Sequence, residues 1–131
     1  MRQAGEAEWL LDVPAGWSVV NHPECLTLTP PADESALQIS SASKEAGLIT
    51  TNELREMAEK RSELTGPAFH AVFGAFRGFG VAYEEANVAW RRYWLANDSL
   101  LLFVTFNGAS TRLLEDLAEG ETALGTLRRR A

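Results

Sequence analysis

Nucleophilic or metal chemistry would have to draw on two histidines, one cysteine and a serine cluster at Ser40, Ser41 and Ser43. His22 stands beside Pro23, and His70 lies in an aromatic stretch. Neither belongs to a His-x-His or His-x-x-x-His pair, so a zinc or iron site would need scattered carboxylates. A single cysteine, Cys25, forms no internal disulfide and no multi-thiolate site. Its setting, Cys25-Leu26-Thr27-Leu28-Thr29, alternates like a strand and suits a small buried hydrophobe. The serines sit in no Gly-x-Ser-x-Gly elbow. Gly74, Gly78 and Gly80 match neither a dinucleotide fingerprint nor a P-loop, and are expected to shape a hairpin. Glu84 and Glu85 occupy adjacent strand positions, so their carboxylates point to opposite faces and cannot act as an acid and base pair. One of them is expected to face Arg91 or Arg92 across a hairpin as an exposed ion pair. The expectation from these residues is a protein that is not an enzyme and holds no metal or cofactor.

Recognition chemistry is better represented. In Trp90-Arg91-Arg92-Tyr93-Trp94, strand alternation puts Trp90, Arg92 and Trp94 on one face, with Arg91, Tyr93 and Leu95 on the other. Two tryptophans flanking an arginine have the composition of a protein-binding hot spot. The competing reading is that the rings are core, with the Arg92 stem lying along them.

Several elements must position these residues. Trp9–Val13, Trp17–Val20, Leu26–Thr29 and Ala36–Ser41 read as short strands separated by turn residues, and together predict an antiparallel meander. Thr50 three residues before Glu53 is a capping box, and Leu54, Met57, Ala58 and Leu64 recur at helical spacing until Gly66-Pro67. Strands follow on either side of Gly78. Ala86-Asn87 and Asn97-Asp98 are turn signals around Val88–Leu95. Ser99–Phe106 is apolar throughout Leu100–Val104, which predicts a strand buried on both faces and helices on both sides of the sheet. Ser110 or Thr111 is expected to cap a last helix carrying Leu113, Leu114, Leu117, Leu124 and Leu127. In that helix Gly120 and Gly125 imply either fraying or close approach to the sheet.

The 131 residues suit one domain, spanning 1–131, with an ordinary globular share of apolar residues. Eighteen acids against twelve bases give a net charge of −6, and the body is more acidic still once Arg128-Arg129-Arg130 is set aside. That balance repels phosphate backbones and speaks against nucleic acid. The arginine run is expected where the last helix ends. No apolar run is long enough for a membrane span, and residues 1–8 lack the apolar segment of a signal peptide, so a cytoplasmic setting is expected.

Val13-Pro14-Ala15-Gly16-Trp17 after a short opening strand resembles the Pro-x-Gly-Trp start of the PsbP-like or Mog-type superfamily. Ala36–Ser40, the capped helix from Thr50, the aromatic hairpin and the final strand and helix follow in matching order. The resemblance implies an α+β fold, a mainly antiparallel sheet of about six to eight strands flanked by helices in an α/β/α sandwich. It also implies a bacterial adaptor or chaperone, since members include a photosystem extrinsic subunit, a Ran-binding import factor and chaperones for secreted effectors. Three functions are therefore carried forward. The first is a chaperone, adaptor or immunity-type protein that binds another protein through Trp90, Arg92 and Trp94, a basic partner suiting the acidic body. The second is a binder of a small molecule or lipid in an aromatic-lined pocket between sheet and helix. An enzyme built on scattered carboxylates ranks last. Homodimerisation through an edge strand is open as well.

Overall fold

The computed structural model describes residues 2–32, 35–109 and 113–130. Among these residues ten strands and two helices follow one another as β1 (Gln3–Gly5), β2 (Trp9–Asp12), β3 (Ser18–Asn21), β4 (Leu26–Thr29), β5 (Ser35–Ser43), α1 (Thr51–Thr65), β6 (Phe69–Phe73), β7 (Phe76–Glu85), β8 (Val88–Asn97), β9 (Leu100–Ala109), α2 (Leu113–Leu124) and β10 (Arg128–Arg129). A seven-stranded sheet runs in the order β3-β4-β5-β9-β8-β7-β6, and a separate three-stranded sheet in the order β1-β2-β10. Every neighbouring pair is antiparallel. The expected α+β fold with a mainly antiparallel sheet and flanking helices is what the chain adopts.

The hairpins follow from their turn residues. Ala86 and Asn87 both take positive φ, 53° and 66°, as a two-residue turn compatible with strand twist requires. Asp98 takes φ 54° in the next turn. The β6–β7 hairpin turns at Gly74 (φ 60°) and Ala75, not at Gly78, which stands inside β7 opposite Leu95.

Two apolar layers lie on the two faces of the large sheet. On one, Ile49, Leu54 and Ala58 bring α1 against Phe79, Val81, Trp94 and Ala96. On the other, Trp9, Leu11, Val13 and Trp17 join Leu117, Leu124 and Leu127 over Leu26, Leu28, Leu37, Ile39, Leu102, Val104 and Phe106. Helices therefore cover both faces, as the apolar β9 predicts, but β1, β2 and β10 share the second face with α2. Cover on the first face is partial: Leu101 and Phe103 are only half-buried.

Three expectations need correcting. Strand β2 does not begin a four-stranded meander with β3, β4 and β5; these three form one without it, and Pro14-Ala15-Gly16 carries the chain from one sheet to the other. Arg128 and Arg129 do not end a helix. Helix α2 stops at Leu124, and the two arginines pair with Leu10 and Trp9 as a strand, fixed by an Arg128–Asp12 ion pair at 3.0 Å. Cys25 is half-buried just before β4 and not in the core. Gly120, by contrast, takes the close-approach alternative, since a Cβ there would stand 2.4 Å from the Phe106 ring. The expected caps Ser110 and Thr111 lie outside the described residues, as do the side chains of Leu64, Leu113 and Leu114.

Helix α1 starts as its sequence dictates. The Glu53 amide donates to Thr50 Oγ1 and the Thr50 amide to Glu53 Oε1, each at 3.1 Å. Lys44 Nζ donates to the same carboxylate at 2.9 Å, and these contacts hold Glu53 below the usual carboxylate range, the Lys44 bond contributing most. A depressed carboxylate pKa stabilises the fold above the unfolded-state value, and that stability is lost as pH falls through the folded value. Acid titration of the circular dichroism signal is thus expected to show a helix-loosening component that Glu53→Gln removes. An identical acid profile in the variant would refute the assignment.

Candidate functional site

Strands β7 and β8 place the candidate residues through their register. The two-residue turn sets Tyr83 opposite Trp90 and Val81 opposite Arg92. Trp90, Arg92 and Trp94 do share the α1-facing side of the sheet, yet they divide. Trp94 is 8% exposed, packs beneath α1 and tilts against Phe103 at 5.4 Å. It belongs to the core. Trp90 and Arg92 are half-buried, beside the helix and not under it.

Tyr83 completes the cluster. Its ring stacks on Trp90 with centroids 6.0 Å apart and planes 4° from parallel. The Arg92 guanidinium carbon lies 5.0 Å from the Trp90 centroid and 5.7 Å from that of Tyr83. Arg92 Nε donates to the Tyr83 hydroxyl at 2.7 Å. Of the two arginines expected to pair with Glu84 or Glu85, Arg91 and Arg92, the second bonds a neutral phenol instead, and among the described residues no carboxylate pairs with it. A guanidinium has five N–H donors; the others on Arg92 have no partner among the described residues. Rings of this size hold the guanidinium plane in place by cation–π attraction. The cluster is a fixed, partly exposed donor surface backed by two aromatic faces.

The surface continues onto bare sheet. Across β9 and β5, Trp90 neighbours Asn107 and then Ala36, while Arg92 neighbours Thr105, Gln38 and Thr27. At the far edge Val20 is 46% exposed. This half of the face is polar, with short side chains, beside one aromatic–cationic anchor. Aromatic faces beside a guanidinium have the chemistry to meet planar, anionic or carbonyl groups.

The remaining candidates fall elsewhere. His22 sits in the turn before β4, its amide bonded to the Cys25 carbonyl at 2.9 Å. His70 lies on β6 against Phe79, ring centroids 4.6 Å apart. Ser43 donates to Glu8 at 3.1 Å. Tyr93, on the opposite face, packs edge-on against Phe69 and Phe73. Burial, then the charge of Glu121, pushes its phenol up to about 12 against the pull of Arg91, which leaves it protonated at neutral pH. Among the described residues no group of three or more His, Cys, Asp or Glu could hold a metal ion. No described helix is long and apolar enough to cross a membrane. Between α1 and the sheet lies a cleft of about 220 Å³ lined by Thr51, Leu54, His70, Ala71, Val72, Arg77, Gly78 and Phe79. That is below the ~300–1,000 Å³ of typical small-molecule sites, and its lining holds one aromatic ring besides His70.

No family model matches the chain, and no curated protein matches its sequence. Solved structures do match its fold. Cyanobacterial PsbP (CyanoP) from Synechocystis superposes with a TM-score of 0.66 at 9% identity, over 98% of this chain and 92% of that one. LpqN, described as involved in cell envelope biogenesis of Mycobacterium tuberculosis, gives 0.65 at 11% identity, over 94% and 83%. A protein from Bacteroides thetaiotaomicron gives 0.67 at 12% identity over 94% of this chain, which spans only 45% of that protein's length. At these identities the likeness is one of fold, and the fold is PsbP-like.

Proposed function

We propose that the chain is a non-enzymatic binding protein whose ligand is another protein, held through Tyr83, Trp90 and Arg92 and the bare sheet beside them. One observation carries this reading: the cluster is rigidly assembled and partly exposed, while Arg92 retains N–H groups with no partner among the described residues. Tryptophan, tyrosine and arginine are the residues that dominate interface energetics. The net charge of −6 favours a partner with a basic surface and faster encounter at low salt. A chaperone, adaptor or immunity-type role fits such a surface, as does the Mog-type side of the family resemblance. A bacterial cytoplasm is the setting proposed, in keeping with a single unpaired cysteine. The rival reading, a small molecule or lipid in an aromatic-lined pocket between sheet and helix, has only a cleft of about 220 Å³ at that place; a larger one of about 530 Å³ is lined instead by Arg2 and the Val13-Pro14-Ala15-Gly16 segment.

The test compares capture from host lysate by the natural chain and by a Trp90→Ala/Arg92→Ala double variant. A stoichiometric, salt-sensitive partner retained by the former and lost by the latter, at closely similar melting temperatures, is the expected result. Equal capture by both proteins, or no partner at any salt, overturns the proposal.

A further inference from the structure

Strand β6 ends the large sheet and, among the described residues, pairs on one side only, with β7. Edge strands are usually blunted by charge, proline or a cover. Phe69-His70-Ala71-Val72-Phe73 contains no Lys, Arg, Asp, Glu or Pro, and it leaves Val72 73% and Phe69 40% exposed. The cleft of about 220 Å³ opens directly against this edge, between β6 and the start of α1. Its volume suits one side chain and not a drug-sized ligand. Its ionisable lining is His70 and Arg77, with no carboxylate. Arg77 Nη1 donates to Thr51 Oγ1 at 2.9 Å, which holds the guanidinium at the cleft. A third base, Arg55, sits over the Phe79 ring at 5.2 Å. The nearby Glu53 is paired with Lys44. The cleft is thus locally cationic on a chain of net charge −6.

We infer that β6 accepts an extended acidic segment of a partner protein as an added strand, with one Asp or Glu side chain seated in the cleft against Arg77 and His70. Main-chain hydrogen bonds to the edge supply affinity in this mode, and the flanking pocket supplies specificity. The surface is separate from Tyr83, Trp90 and Arg92, so the two proposals stand or fall independently.

A random nonapeptide display library panned against the intact chain tests this, followed by amide NMR with the selected peptides. The expected peptides share a carboxylate at one position among alternating β-branched residues, and they shift and protect the Phe69–Phe73 amides. Arg77→Glu, and separately Val72→Glu at its exposed position, should each weaken binding about tenfold or more through like-charge repulsion, with unchanged melting temperature. The inference is overturned if no peptide is selected, if the binders carry no carboxylate, or if only amides around Trp90 and Arg92 respond. A concentration-dependent dimer that protects β6 without peptide also overturns it, because the occupant is then a second copy.

Discussion

Alanine in place of Gly78 is expected to destabilise the protein by about 3 kcal/mol, enough to leave a domain of this size marginal. The residue lies inside β7 opposite Leu95. A Cβ added there would stand 1.8 Å from the Trp94 carbonyl oxygen and 2.9 Å from its carbonyl carbon. Both are backbone atoms of β8, so no side chain can rotate to make room. Strands β7 and β8 would have to part beneath α1, where Phe79 and Trp94 are packed. Gly125→Ala is the control. Its nearest contacts would be carbonyl oxygens at 3.3 and 3.4 Å, and a near-neutral effect is expected. Urea denaturation of the two variants decides the matter. Equal midpoints would mean that β7 and β8 are not held as closely as described.

Trp17→Ala is expected to cost about 3–5 kcal/mol, the range for deleting a buried large aromatic side chain. Trp17 is 1% exposed and packs against Phe106 with ring centroids 6.5 Å apart. Its Nε1 donates to Glu119 Oε2 at 2.6 Å, which ties the segment after β2 to α2. Burial of the ring outweighs this bond, whose acceptor Glu119 is exposed. Glu119→Ala leaves the Nε1–H of a buried ring without its acceptor and should cost about 1–3 kcal/mol, less than loss of the ring. If Glu119→Ala matched Trp17→Ala in a denaturation series, the hydrogen bond and not the packing would hold α2 in place.

The two variants also mark what the residues announced in advance. Signals that act over a few residues were legible. Thr50 and Glu53 cap α1 as their spacing requires, and Ala86-Asn87 turns the hairpin that sets the β7–β8 register. Tyr83 was missed as a site residue although the signal was present, since a two-residue turn at 86–87 places it opposite Trp90. Pro14-Ala15-Gly16 marks a turn but says nothing about which sheet the chain enters next. Strand β10 has only two residues and gains its structure from distant Leu10 and Trp9, so no local pattern reveals it. The same limit divides Trp94 from Trp90. Alternation assigns both to one face, while the position of α1 along that face decides which is covered.

Strand β2 lies between β1 and β10, with Leu10 paired to Arg128. During vectorial synthesis, the apolar face built on Trp9 and Leu11 cannot be sealed until Leu127 and Arg128 have left the ribosome. The nascent chain must carry that face open while the large sheet assembles, and a pairing so distant in sequence is slow to form. Until that pairing forms, the open face is exposed to aggregation and to whatever chaperones the cell provides.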